Sequence, residues 1–359
     1  MLGSLDIRDF RCLQSVRMQC DPAINIIYGA NGAGKTSLLE AIYFLGRGRS
    51  FRSFKREPLI RQGAERFTVF GRTIAPEHGE QAIGVGFGSD GFRGRINGVD
   101  LRALSDLPAA LPVQVIDPHV HRLVEGGPAD RRQFMDWGLF HVEHGFLETW
   151  GRFSQSLKQR NAGLREGWPD ASLIPWESQV AETGEALGRY RQAYIEKLDP
   201  LFTDVVNSVL EFKGVTLGYQ QGWSADHSLH EALARARETD RLRGVTSKGP
   251  HRSDMQIRLD GEPAQAVVSR GQEKVIGACL VVAQMMLHTR QARGEGVLLI
   301  DDVASELDRD HLGRLLGMVR DLPVQKFVSV ISVDALTSGD WASGKMFHVE
   351  QGKVTEVVQ

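Results

Sequence analysis

Gly29-Ala30-Asn31-Gly32-Ala33-Gly34-Lys35-Thr36 satisfies the pattern G-x-x-x-x-G-K-[ST] at every specified position. Glycines let a backbone wrap phosphates without Cβ clashes. Successive N–H groups of such a loop form a nest for anions, and the N-terminus of a following helix adds its partial positive charge. In this pattern Lys35 reaches the β- and γ-phosphates of ATP, Thr36 ligates Mg²⁺, and Ser37 closes the phosphate-binding set. The flanks agree with the loop. Residues 24–28 (Ile-Asn-Ile-Ile-Tyr) are a compact apolar run that reads as a buried strand. Residues 37–45 place Leu38, Leu39, Ile42 and Leu45 on one face of a helix that Gly46 is expected to close. Strand, loop and helix in this order predict an α/β protein that binds and hydrolyses ATP.

A second stretch supplies the acid chemistry. Val297-Leu298-Leu299-Ile300 leads into Asp301-Asp302, an apolar strand ending in two carboxylates, which is the Walker B pattern. Asp301 is expected to hold Mg²⁺ and Asp302 to polarise the attacking water. Gln114, in the apolar run 113–116, is a candidate further Mg²⁺ ligand. Upstream, Val268-Ser269-Arg270-Gly271-Gln272 opens a helix expected over 272–290, with Ser269 as its N-cap and exposed N–H groups facing an anion. That order resembles the signature motif of ATP-binding cassette (ABC) ATPases, and Ser305-Glu306-Leu307-Asp308 follows Walker B as the D-loop does in that family. The resemblance implies that Ser269, Arg270, Gly271 and Gln272 meet the γ-phosphate held by another subunit, with Ser269 joining Lys35 and Asp302 in catalysis.

The rest of the chain changes period twice. Residues 67–100 alternate apolar and polar with many glycines, predicting antiparallel strands with Asn97-Gly98 as a hairpin turn. Residues 131–144, 146–165 and 176–210 look helical, interrupted at Gly167-Trp168-Pro169. Strands return at 251–259, 297–301 and 327–333. The expected organisation is a discontinuous ABC-type ATPase domain, residues 1–115 and 245–359, built on a mixed β-sheet with the phosphate-loop helix. A mainly α-helical lobe, residues 116–244, is inserted into it and carries dimer and DNA contacts. The helices are too short for a long coiled-coil arm.

Composition adds constraints. The chain has 359 residues, 25% of them charged, and a net charge of −2, so no global basic signature exists. Residues 1–72 nevertheless hold 12 Lys/Arg against 6 Asp/Glu, an excess of six positive charges that points to an anionic partner. Arg47, Arg49, Arg52, Lys55 and Arg56 crowd one expected loop with Phe51 and Phe54 among them. They suit either DNA phosphates, single- or double-stranded, or the nucleotide. Arg131 and Arg132 open a helix, against the helix dipole, and so call for a carboxylate or a phosphate; Lys158, Arg160 and Arg165 are further basic candidates on the inserted lobe. His119 and His121 are too few for a metal site, and His251 suits a structural hydrogen bond. Three cysteines without metal-ligand spacing, a charged N-terminus and no apolar run of about 18–20 residues predict a soluble cytoplasmic protein with no membrane contact.

Together the motifs resemble the RecF family, bacterial recombinational repair ATPases related to the SMC-type ABC proteins. The resemblance rests on Ile7-Arg8-Asp9-Phe10-Arg11, Tyr28 to Gly32, Gly48-Arg49-Ser50-Phe51-Arg52, Gly126-Gly127-Pro128 with Arg131 to Trp137, Gly249 to Asp254, Ser269 to Gln272 and Ile300 to Asp308. It implies an ABC head of two lobes, an ATP-dependent homodimer that binds DNA at single-strand gaps or junctions, and RecA loading with RecR and RecO as partners. A transporter's nucleotide-binding subunit would share the ATP motifs but has no counterpart of the Gly126 to Trp137 segment. The chain departs from the family where His119 follows Pro118 in place of an acid. Asp302 stands where many ABC ATPases have Glu, and residues 332–334 contain no switch histidine. A shorter carboxylate and no switch histidine imply slow turnover.

Overall fold

Alternating burial along residues 2–19 and 66–96 forms an antiparallel sheet, and continuous burial along residues 24–28, 297–301 and 325–330 forms a parallel one, as one-sided and two-sided burial require. The computed structural model describes residues 1–75, 79–291, 296–302, 309–336 and 340–357. In chain order the first elements are β1 (Leu2–Phe10), β2 (Leu13–Gln19), β3 (Ile24–Tyr28), α1 (Lys35–Arg47), β4 (Arg66–Ala75), β5 (Gly79–Gly88), β6 (Gly91–Ile96), β7 (Val99–Asp100), α2 (Asp106–Ala110) and β8 (Val113–Ile116). Then follow α3 (Arg122–Glu125), α4 (Pro128–Val142), α5 (Phe146–Glu166), α6 (Asp170–Leu210), β9 (Val215–Gln220), α7 (Leu229–Arg243), β10 (Asp254–Leu259), β11 (Glu262–Pro263), α8 (Ala264–Val267) and α9 (Arg270–Gln291). The last are β12 (Val297–Asp301), α10 (Arg309–Asp321), β13 (Gln325–Val330), β14 (Lys345–Glu350) and β15 (Lys353–Val357).

The chain divides into two compact units, Met1–Val120 with Ala278–Gln359, and His121–Gly277. The first contains two six-stranded sheets. One is antiparallel in the order β2-β1-β4-β5-β6-β7; the other runs β15-β14-β3-β13-β12-β8 and is parallel except for the β15 edge. Helix α1 contacts β1, β4 and β5 of the first sheet and β8, β12 and β13 of the second. It is buried on every side, with Lys35 and all residues from Ser37 to Gly46 out of solvent. Gly46 therefore does not close the helix. A Cβ there would stand 2.6 Å from the Leu111 carbonyl oxygen, so glycine is needed for close packing; the helix ends at Gly48, in the left-handed region at φ 63°. The hairpin at Asn97-Gly98 has φ of 51° and 80°, the type I′ geometry its sequence predicts.

The second unit corrects the expected boundary. Residues 245–277 belong with the inserted region because β10 pairs antiparallel with β9 along its whole length, making the three-stranded sheet β11-β10-β9. The second domain junction falls inside α9, and this unit is helical with a small sheet. Helix α6 starts at Asp170 rather than 176 and runs for 41 residues through Pro175 and Pro200. Burial of Leu173, Leu187, Tyr194, Leu198 and Phe202 outweighs the two missing N–H donors. The hairpin β14–β15 and helix α7 carry weak periodicity; α10 is amphipathic, with Leu312, Leu315, Leu316 and Val319 buried at helical spacing.

Arg131 meets the carboxylate that its place at a helix start calls for, and Arg160, a basic candidate for DNA, is internal too. Arg131 donates to both oxygens of Asp254 at 2.7 and 2.8 Å, and to the carbonyls of Val124 and Gly126. Arg132 donates to the Ser253 carbonyl, and Arg191 bridges Asp136, the Pro250 carbonyl and Ser253. The segments Gly126 to Trp137 and Gly249 to Asp254 thus bind each other. His251 bonds the Thr246 carbonyl at 2.9 Å, and burial holds its imidazole below its ordinary pKa. Arg160 is fully buried, 3.0 Å from Glu177, 2.9 Å from Asp240 and 2.7 Å from the Thr246 hydroxyl. Around it, Arg237 pairs with Glu177 and Asp170.

Arg160→Met leaves Glu177 and Asp240 buried without their shared cation, which costs about 3–5 kcal/mol. Five of the chain's six tryptophans lie in this unit, so urea denaturation followed by tryptophan fluorescence should register that loss. An unchanged midpoint would show that the network contributes nothing.

Candidate phosphate and metal site

The site begins with the exit of β3. Gly29 turns at φ 153°, and a Cβ there would lie 2.2 Å from the Val349 carbonyl oxygen on β14, so only glycine passes. Ala30, Asn31 and Gly32 are exposed, whereas Ala33, Gly34 and Lys35 are buried. The loop is pinned at its far end, where the Gly352 amide donates to the Ala33 carbonyl at 2.8 Å. Gly34, at φ 118°, starts α1 with no side-chain cap and no acid in the first turn. The first N–H groups of the helix and its dipole therefore point into the loop, where an anion satisfies both. The Lys35 ammonium donates to the carbonyls of Gly29 at 2.7 Å and Ala30 at 3.0 Å, which curls it over the same hollow. Ser37 is buried and accepts from the Cys12 thiol.

Thr36 stands at the edge of this hollow and donates its hydroxyl to Asp301 Oδ1 at 3.0 Å. In an octahedral Mg²⁺ site with bonds of about 2.0–2.1 Å, adjacent ligand oxygens lie about 3 Å apart. The pair therefore has the spacing that Mg²⁺ demands. Among the described residues no three His, Cys, Asp or Glu side chains form a metal cluster. Burial pushes the Asp301 carboxyl up; the hydrogen bonds from Ser329 and Thr36 pull it back, Asp302 raises it, and the Arg52 charge lowers it.

Ser329 escaped the sequence reading. It lies on β13 directly beside Asp301 in register. Its hydroxyl donates to Asp301 Oδ1 at 2.8 Å and accepts from the Asp302 amide at 3.0 Å. The available signal was a single polar residue inside the apolar run Phe327-Val328-Ser329-Val330. Asp302 itself takes the left-handed conformation, φ 47°, which turns the chain sharply at the end of β12. The expected D-loop, residues 305–308, lies outside the described residues.

Gln114 is not a ligand of this site. In the parallel register it sits beside Leu298, three residues short of Asp301, or about 10 Å along the strand. Its amide donates to the Gln284 side chain of α9. The signature residues open α9 as expected: Ser269 Oγ accepts from the Gln272 amide, and the Gln272 side chain accepts from the Ser269 amide at 2.8 Å, a reciprocal cap. Ser269, Arg270 and Gly271 are exposed.

The basic stretch is only partly exposed. Arg47 ends α1, half-buried, donating to the Val113 carbonyl and lying over the Tyr43 ring; burial brings its guanidinium down to about 10. Arg56 donates to the Gly48 carbonyl and covers Phe92. These two are removed from the DNA set, while Arg49, Arg52 and Lys55 are exposed. Glu40 organises the segment. Fully buried on α1, it accepts two bonds from Arg11, at 2.8 and 2.9 Å, and one from the Ser50 hydroxyl, with Arg52 3.8 Å away. The Arg52 charge also acts on Asp301.

The RecF/RecN/SMC N-terminal domain family matches residues 1–355. A DNA replication and repair protein RecF of Pseudomonas fluorescens (strain Pf-5) is 40% identical over 360 residues, 99% of this chain and 98% of its own. The protein of the same name from Stutzerimonas stutzeri (strain A1501) is 40% identical over 361 residues, 99% and 97% of the two chains. A solved structure of the recombination mediator protein RecF with ATP, from the RecFOR pathway, matches with a TM-score of 0.88 at 25% identity, over 99% of this chain and 97% of its own. An Smc head bound to the C-terminal winged-helix domain of ScpA matches at 0.62 with 15% identity over 99% and 97%, a likeness of fold alone.

Ser329→Ala removes one donor from Asp301 and the acceptor for the Asp302 amide, at about 1 kcal/mol each. The Mg²⁺ concentration needed for half-maximal binding of a fluorescent ATP analogue should rise at least fivefold. An unaltered Mg²⁺ requirement would take Ser329 out of the site.

Proposed function

The chain belongs to the RecF family, and from that premise we propose that it is an ATP-dependent DNA-binding protein of recombinational repair, held as a homodimer by ATP. The observation that carries this reading is the contact of Thr36 with Asp301, which brings a glycine-loop helix N-terminus and a strand-end carboxylate to one point. Residues 29–37 hold the phosphates through backbone N–H groups and Lys35. Thr36 and Asp301 hold Mg²⁺, which supplies charge neutralisation at the β- and γ-phosphates. Arg52 adds a cation beside them. Asp302 orients and deprotonates the attacking water, and its short side chain together with the missing switch histidine makes turnover slow. Ser269, Arg270, Gly271 and Gln272 complete the site of a second copy, so dimerisation follows ATP binding by linkage.

The second unit and the exposed cations Arg49 and Lys55 contribute dimer and DNA contacts. The substrate is gapped or junction DNA, hydrolysis is stimulated by it, and RecR and RecO are the partners in RecA loading. No helix among the described residues is long and apolar enough to cross a membrane. A transporter subunit is not favoured, because the full-length relatives are DNA replication and repair proteins.

Lys35→Met should remove the ATP-dependent dimer in multi-angle light scattering, and Asp302→Asn should retain it while phosphate release falls at least tenfold. A dimer formed by Lys35→Met with ATP would sink the sandwich reading. Affinity for gapped DNA should fall steeply between low and physiological salt, because phosphate contacts release counterions. A flat salt response would exclude them.

A further inference from the structure

The antiparallel sheet of the first unit has an outer face that the nucleotide site does not use. Its register places unlike residues in parallel rows. On β4 the outward residues are Arg66, Thr68, Phe70 and Arg72, all exposed. Opposite them on β5 stand Gly88, Gly86, Gly84 and Ala82. Beyond, on β6, Arg93 is opposite Gly86 and Arg95 opposite Gly84. A strand almost without side chains on this face thus runs between two walls about 10 Å apart, twice the strand spacing. The result is a cavity of about 290 Å³, floored by glycine and lined by Arg66, Thr68, Phe70, Arg93 and Arg95, with Asp90 at its end.

Interior glycines weaken a strand and mark places where something approaches the backbone closely. For Gly86 and Gly88 the fold itself supplies a reason, since a Cβ would come within 2.9 Å of the Phe67 carbonyl oxygen and 2.8 Å of Arg66 Cβ. For Gly84 it supplies none. A Cβ there meets only Phe70 Cδ2, at an ordinary 3.6 Å. Its emptiness leaves one side of the Phe70 ring uncovered, and Phe70 remains 38% exposed. Three lining arginines face two carboxylates, a net positive charge; Arg95 is paired with Asp100 at 2.7 Å, both exposed. Arg93 lies 2.9 Å and Arg66 3.8 Å from Asp90, both pairs exposed to solvent and exchangeable for a phosphate. A second cavity, of about 470 Å³, shares Arg93, Gly94 and Arg95 and extends past Asp100 to Arg102.

We propose that this trough binds single-stranded DNA, a base stacking on Phe70 over Gly84 and the backbone phosphates passing along Arg66, Arg93 and Arg95. An uncovered aromatic ring with flanking arginines on an open sheet face is the arrangement by which sequence-tolerant single-strand binding works. A trough one strand wide admits a base and excludes a duplex. The inference rests on the DNA-binding reading above and adds a strand-selective site to it.

The test uses the full chain with ATP, a fluorescein-labelled oligo(dT) and a duplex of the same length. Gly84→Val fills the trough with a residue that suits a strand and has room, and Phe70→Ala removes the stacking platform. Each should weaken oligo(dT) binding at least fivefold in anisotropy titrations, with duplex affinity, ATP-dependent dimerisation and melting temperature unchanged. Arg93→Ala should lower the salt dependence of oligo(dT) binding by about one counterion. A 5-bromouracil-substituted strand should photocrosslink to the peptide carrying Phe70. Unchanged oligo(dT) affinity in both trough variants, or equal loss of single strand and duplex, would overturn the proposal while the wild type's duplex binding keeps the DNA reading intact. Absence of all DNA binding by the wild type would overturn the reading itself.

Discussion

Everything in the first unit depends on α1 lying between two sheets. A helix buried on all sides cannot shift to adapt to its ligand, so its N-terminus is a fixed point. Four parallel strand ends surround that point: Tyr28 of β3, Val330 of β13, Asp301 of β12 and Ile116 of β8. The Gly46 backbone against Leu111 and the buried Glu40, bound by Arg11 and Ser50, fix the helix along its length. Thr36 is therefore delivered to Asp301 by packing rather than by ligand binding.

The carboxylate pair divides its roles through surroundings. Asp301 is buried and receives two hydroxyl donors, which keeps it a fixed acceptor despite the cost of burying charge. Asp302 follows in a left-handed turn whose amide is tied to the same Ser329. One serine thus sets the positions of both acids. Removing it would release both acids from these positions together.

In the second unit, buried ion pairs work beside an apolar core. Arg131 with Asp254, Arg191 with Asp136, and Arg160 with Glu177 and Asp240 join segments more than fifty residues apart in sequence or clamp adjoining helices. The residues that mark the family at 126–137 and 249–254 are mainly this internal scaffold. Arginine's fixed fork of donors serves carboxylate and phosphate equally well, so sequence alone gives no sign of which it meets.

The phosphate loop, the strand ending in Asp301-Asp302, the capped helix at Ser269 and the Asn97-Gly98 hairpin were legible in the sequence because each is a local matter. A few adjacent residues fix the backbone conformation there, and no distant partner is needed. What required the tertiary structure were facts of pairing and burial. Ser329 became part of the site through strand register, and Gln114 left it for the same reason, three residues short. Arg47, Arg56, Arg131 and Arg160 turned out to be engaged internally, because the fate of a cation depends on carboxylates and carbonyls far along the chain. The domain junction moved into α9 because β10 found its partner in β9. Local sequence determined a glycine loop opening a helix and a strand ending in two carboxylates. Folding alone decided which other side chains reach them, since proximity across a sheet is set by packing and not by order in the chain.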